Sequence, residues 1–172
     1  MAKKKGLNLG MILGGAAALL GLVAIFMLFV PNLTTEVLDT TVEYSGLETV
    51  FGAEHKSTVM GHEVSTAIFD FSFLSFLPYL LVLVGVVLSV LAVLGKLGKI
   101  APIAAAACFV VAAILFFIAV PTCVLHNSAD ATAEQISKAK ESLSLGAGVI
   151  VAGVLSIVAG LANAANLVLN KK

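Results

Sequence analysis

The chain has 172 residues, 60% of them hydrophobic and 12% charged, with ten basic and ten acidic side chains and a formal net charge of +0. Soluble domains are only about half apolar. The balance therefore excludes an ordinary water-soluble domain and points to a polytopic membrane protein, read here as one membrane domain over 1–172. No tryptophan is present and only two cysteines.

Four long runs, at about 7–30, 71–95, 100–120 and 143–169, each reach the roughly 20 residues a helix needs to cross about 30 Å of hydrocarbon. Within the first run, Gly6, Gly10, Gly14 and Ala18 recur every four residues and form one smooth helical stripe for close backbone approach. Lys3, Lys4 and Lys5 precede this run, as in a secretory leader. The run is longer than the roughly 7 to 15 apolar residues of a leader, and Ala16–Ala18 lie in its middle, so a retained helix is expected. Large residues, Phe26 and Phe29 among them, fill its far end before Pro31.

The connection 31–70 is the largest polar stretch. Thr40–Tyr44 and Leu47–Phe51 are rich in β-branched and aromatic residues and are read as strands punctuated by Gly46 and Gly52. Ser57–Met60 and Glu63–Ile68 flank Gly61-His62, a glycine-first pair suited to a two-residue hairpin turn. A small antiparallel sheet of three or four strands is expected there. It is too small to stand alone and should rest on the helix ends.

The second and third runs repeat the gradient of size. Phe71, Phe73, Phe76 and Tyr79 crowd one end of the second, with Gly85, Ser89 and Ala92 deeper. Pro102 suits the first turn of the third, where Ala104–Ala107 precede Phe109, Phe116 and Phe117. Small residues let helices approach and bulky ones hold them apart, so a bundle tight at one side and splayed at the other is expected, with Phe26, Phe29, Phe76 and Phe116 lining a flare able to hold an acyl chain. Cys108 lies within the third run and Cys123 beyond it. About 15 helical residues at 1.5 Å hold them ~22 Å apart, beyond disulfide reach, which leaves Cys123 a free thiol or a cross-link between chains.

Thr132 with Gln135 has capping-box spacing, and Glu134 and Lys138 form an i, i+4 pair. A single helix from about 133 to 169 is expected, rising two or three turns before descending along Gly148, Ala152, Ser156, Gly160 and Ala164. Its small-residue stripe matches that of the first run, so Gly10, Gly14 and Ala18 are expected to pack against Gly148, Ala152 and Gly160.

Charge sets the orientation. Lys3, Lys4, Lys5, Lys96, Lys99, Lys171 and Lys172 lie at the termini and the short middle connection without a single acid. All ten acids lie in 31–70 and 121–142. Lysines stay inside, so both termini are expected in the cytoplasm and both acidic loops outside, with lipid anchoring a further role for the inner lysines.

Candidate chemistry is sparse. The spans contain no ionisable side chain of the kind that marks a pump or proton relay. Ser89, Ser156, Asn163, Asn166 and Asn8 are read as hydrogen-bonding between helices or to their own backbone, with Asn163 and Asn166 hydrated near the inner interface. His55, His62 and His126 lack metal-ligand spacing, and no nucleotide, hydrolase or metalloprotease motif occurs. No enzyme activity, cofactor or metal is therefore expected, and the acidic external face argues against nucleic acid. Asn32-Leu33-Thr34 is a formal glycosylation sequon.

The layout of short inner tail, span, long external loop, span, tiny inner loop, span, shorter external loop, span and tail resembles that of the claudins and peripheral myelin proteins. Gly46-Leu47 matches two residues of the claudin first-loop signature, while the loop has neither tryptophan nor cysteine. The resemblance implies a four-helix bundle, an all-α membrane fold, with a small external antiparallel sheet that makes contacts between molecules. On this reading the protein is non-enzymatic, sits in the plasma membrane of a bacterial cell and forms homo-oligomers or binds a membrane-protein partner. Gly46, Leu47, Phe51 and Gly61 belong to the interaction loop. The alternatives are an accessory subunit of a larger complex, or an oligomeric pore whose selectivity rests on a ring of Glu43, Glu48 and Asp70.

Overall fold

Among the described residues, unbroken apolar sequence produces four helices long and apolar enough to cross a membrane: α1 (Leu9–Phe26, extended by a 3-10 turn at Met27–Phe29), α3 (Phe73–Val93), α4 (Ile100–Phe117) and α7 (Ala147–Leu169). The computed structural model describes residues 9–37, 40–59, 62–95, 97–126 and 132–169, with the backbone alone at 37, 55–59 and 62–66. Lys3, Lys4, Lys5, Gly6, Asn8, Asp39, Gly61, Lys96, Asp130, Lys171 and Lys172 lie outside the described residues. Local chemistry sets the helix ends. The Ser75 amide donates to Ser72 Oγ (3.1 Å) at the start of α3. At its end Gly95, Leu97 and Gly98 take positive φ, which a helix cannot continue through.

The chain divides into two compact units. The helical unit holds α1, most of α3 and α4, and the greater part of α7. Its core is organised around Phe109, which is fully buried. A Cβ placed on Gly21 would lie 2.9 Å from the Phe109 ring, one on Gly85 3.1 Å, and one on Gly160 3.5 Å from the Phe109 Cβ. A single large side chain from α4 thus fits against glycines of the other three helices. This corrects the expected gradient of size: Phe109 and Phe116 are core residues, not spacers. Phe26 and Phe29 are exposed, and Phe76 packs on Phe51, so these four phenylalanines do not share one role as the lining of a flare.

The glycine stripe of α1 also has different neighbours from those expected. Gly10, Gly14 and Ala18 are buried, but a Cβ on Gly14 would meet Val93 Cγ2 at 2.7 Å and the Ser89 carbonyl at 3.6 Å, both on α3, with Asn166 of α7 at 3.4 Å. Ala152 is buried and Gly160 faces Ala106–Val110 of α4. The anticipated seam of α1 against α7 is shared out among all four helices, because α3 supplies the closer surface to Gly14.

The second unit holds both long connections. β1 (Pro31–Val37) pairs with β2 (Thr40–Ser45), β3 (Ala53–Val59) with β4 (His62–Asp70), and two short strands, β5 (Val124–Leu125) and β6 (Leu143–Leu145), join from the other connection. The result is two three-stranded antiparallel sheets, ordered β2-β1-β6 and β3-β4-β5, in place of one sheet confined to 31–70. Leu33, Ala53, Phe69, Cys123 and Leu143 form their buried core, with Tyr44 against it.

Three further expectations are corrected here. Leu47–Phe51 is not a strand but helix α2 (Gly46–Phe51), started by Ser45: the Glu48 amide donates to Ser45 Oγ (3.3 Å) while the Ser45 amide donates to the Glu48 carboxylate (2.7 Å). Val59 pairs with His62, so His62 is a strand residue and not part of a turn. The helix expected over 133–169 is broken. α6 (Ala133–Glu141) carries the expected Thr132 and Gln135 cap and the Glu134–Lys138 pair at 3.0 Å. It stops at Ser142, because Leu143 enters the sheet core opposite Thr35, and α7 begins beyond Gly146. The short helix α5 (Ala119–Thr122) lies between α4 and β5.

Candidate functional site

The groups able to meet another molecule through polar contacts are concentrated in the sheet unit, and most are placed by backbone pairing. An irregularity in β1 between Pro31 and Leu33 turns Asn32 inward, where it is 3% exposed. Its amide lies where Cβ atoms on Gly46 and on Gly148 would collide with it. The Gly46 amide donates to the Val30 carbonyl (3.3 Å) and the Gly146 amide to the Asn32 carbonyl (2.8 Å). Glycine is required at 46 and 148 for this close approach. Gly148 therefore packs against the chain just after α1, and the buried Asn32 amide has no room for a glycan in this fold.

The residues expected to contact partners separate. Gly46 is buried, Leu47 is half-buried and Phe51 is exposed, with its ring 6.2 Å from that of Phe71 and 5.9 Å from that of Phe76. Gly61 lies outside the described residues. The three candidate selectivity acids are all exposed but serve different ends. Glu48 caps α2, Asp70 accepts from His126 Nδ1 at 2.9 Å, and Glu43 stands on β2 opposite Thr34. Two of the three make local contacts within the chain. Tyr44 packs edge-on to Phe69 at 4.9 Å. Burial raises its phenol pKa above the ordinary value, and the neighbouring Glu48 charge adds to the shift.

Sequence reading missed two features. One is a groove of about 460 Å³ lined by Thr34, Thr35, Glu36, Thr41, Ser142 and Ser144, a hydroxyl-rich surface drawn from β1, β2, β6 and the end of α6. The signal was the concentration of Thr and Ser at these positions, which gains meaning only once the strands are side by side. The other is the burial of Cys123, which is a free thiol as one of the two expectations had it, is 1% exposed and donates from Sγ to the Val120 carbonyl at 3.0 Å. Burial raises its pKa, partly offset by the Lys140 ammonium and by a hydrogen bond from its own backbone amide. A cross-link between chains is inconsistent with that position.

Among the described residues of the helical unit, Ser89, Ser156 and Asn163 make internal hydrogen bonds. Asn163 Nδ2 donates to Ser89 Oγ (2.9 Å) and the Ala159 carbonyl (3.1 Å), Ser89 Oγ donates to the Gly85 carbonyl, and Ser156 Oγ to the Ala152 carbonyl, both at 2.7 Å. Asn163 and Asn166 are buried and not hydrated at an interface as expected. Among the described residues no three His, Cys, Asp or Glu side chains converge on a metal position. No protein-family model, curated protein or solved structure matches the chain.

Proposed function

We propose that the chain is a multi-pass protein of the bacterial plasma membrane, with cytoplasmic termini and an external sheet unit that serves as an interaction surface, in the manner implied by the claudin-like layout. The observation that carries this reading is the contrast between the two units. The four long helices carry no Asp, Glu, Lys, Arg or His and join Ser89 of α3 to Asn163 of α7 by a hydrogen bond, whereas both acidic connections are invested in a pair of sheets with a core of their own. Outer strands present free backbone groups that can template a further strand. β2 is such a strand, with Thr40, Thr41 and Glu43 exposed along it, and the hydroxyl-rich groove adds hydrogen-bonding capacity beside it. Self-assembly through this surface is the primary role, and contact with a membrane-protein partner its variant.

Purification in mild detergent followed by native mass measurement tests the proposal. A closed oligomer, an extended polymer or a stoichiometric partner supports it. A lone monomer under every mild condition overturns it.

A further inference from the structure

We infer that α2 is an interfacial helix whose Phe51, together with Phe71 and Phe73, is immersed in the lipid at the boundary between headgroups and acyl chains, on the side of the membrane that carries the sheet unit. The inference rests on the membrane reading of the four long helices and goes beyond it, because it assigns a partner to a surface that the protein itself leaves uncovered.

Both ends of α2 are tied to the ends of spanning helices. At its start, the Gly46 backbone approaches so closely that a Cβ there would lie 2.7 Å from the Leu28 carbonyl, within the 3-10 turn that completes α1. At its end, the Ser72 amide donates to the Val50 carbonyl (2.9 Å), and Ser72 is the residue on which α3 begins. Six residues at 1.5 Å make α2 about 9 Å long. An element this short, pinned at one end to where one span finishes and at the other to where the next starts, has its depth fixed: it lies at the level where hydrocarbon gives way to water.

The faces of α2 match that position. Gly46, Thr49 and Val50 are buried against protein. Leu47 and Phe51, one helical turn apart, share a second face, and Glu48 holds its carboxylate back on Ser45. Phe51 is 55% exposed, Phe71 54% and Phe73 59%. Three phenylalanines half or more in the open are costly in water, where apolar surface is unfavourable. Phe73 is the first residue of α3, so the patch is continuous with the apolar surface that the span presents to lipid. A short helix with one apolar and one polar face lies flat in an interface. The partner that fits is the lipid surface itself.

The absence of natural tryptophan makes the test direct. Single variants Phe51→Trp, Leu83→Trp (exposed at mid-span on α3) and Glu43→Trp (exposed on β2) are reconstituted into phosphatidylcholine vesicles and quenched with lipids brominated at shallow or deep acyl positions, or with aqueous acrylamide. Expected is a blue-shifted Phe51→Trp emission lost most strongly to the shallow bromines, a Leu83→Trp emission lost to the deep ones, and a Glu43→Trp emission lost to acrylamide alone. If Leu83→Trp escapes bromine, the membrane reading itself fails. If Leu83→Trp is quenched but Phe51→Trp responds only to acrylamide, or to neither quencher because protein covers it, the interfacial inference alone is overturned. Phe71→Trp supplies the same readout should Phe51→Trp fail to reconstitute.

Discussion

At single residues, glycine matters where backbone or a ring comes close and not elsewhere. A methyl group at Gly46 meets the Leu28 backbone and the Asn32 amide, whereas one at Gly15 meets nothing within 4 Å. Gly46→Ala is therefore expected to cost about 1–3 kcal/mol through overpacking, while Gly15→Ala is tolerated; thermal unfolding in detergent compares the two. Phe109→Ala removes the side chain on which glycines of three helices close. Such a truncation costs about 3–5 kcal/mol in a water-soluble core, but helices in lipid gain no transfer energy from association, so about 2–3 kcal/mol is expected by the same measurement. Cys123 carries a pH dependence. Its folded pKa lies above the unfolded one, so on raising pH the unfolded thiol ionises first. The stability this group contributes is complete below the ordinary thiol pKa and is lost as pH climbs through the folded value. Native Cys123 is thus expected to alkylate several-fold more slowly than in the denatured chain, and Cys123→Ala to blunt the loss of stability at alkaline pH.

Among the elements, α2 depends most on a single side chain, because six residues are too few for helix propensity to hold them. Ser45→Ala removes its cap and is expected to cost about 1 kcal/mol, seen as faster amide exchange across Gly46–Phe51. That cap also shows where sequence reading stopped short. Ser45 and Glu48 have the same spacing as Thr132 and Gln135, and both pairs form, yet Thr49, Val50 and Phe51 carry strand preferences strong enough to pull Leu47–Phe51 toward the wrong reading. The four long helices were legible because twenty apolar residues in a row admit few other states. β5 and β6, of two and three residues, had no local signal: they are strands only because β4 and β1 lie alongside. The break before α7 was hidden for the same reason, since Leu143 is good helix material until the core of another segment takes it. Phe109 looked like a spacer because the glycines that receive it are scattered over three other helices.

For the whole molecule, sidedness is the testable consequence of its charge pattern. Glu48→Cys and Lys96→Cys are expected to react with a membrane-impermeant maleimide from opposite faces of sealed vesicles. Labelling from one face would overturn the orientation and, with it, the external interaction surface. The pore alternative makes a separate demand, because Glu48 and Asp70 must then serve permeating ions while engaged with Ser45 and His126. Neutralising them is expected to alter local stability.

The pairing of Leu33 with Leu145 and of Phe69 with Leu125 also dictates an order of manufacture. A ribosome delivers β1 long before β6 exists, and β4 before β5, so a nascent chain carries two half-built sheets until its later segments are made. A chain cut short before Leu143 has lost the strand that covers one flank of β1 and the leucine that seals the core. Such truncated products are expected to be cleared by proteolysis rather than to accumulate.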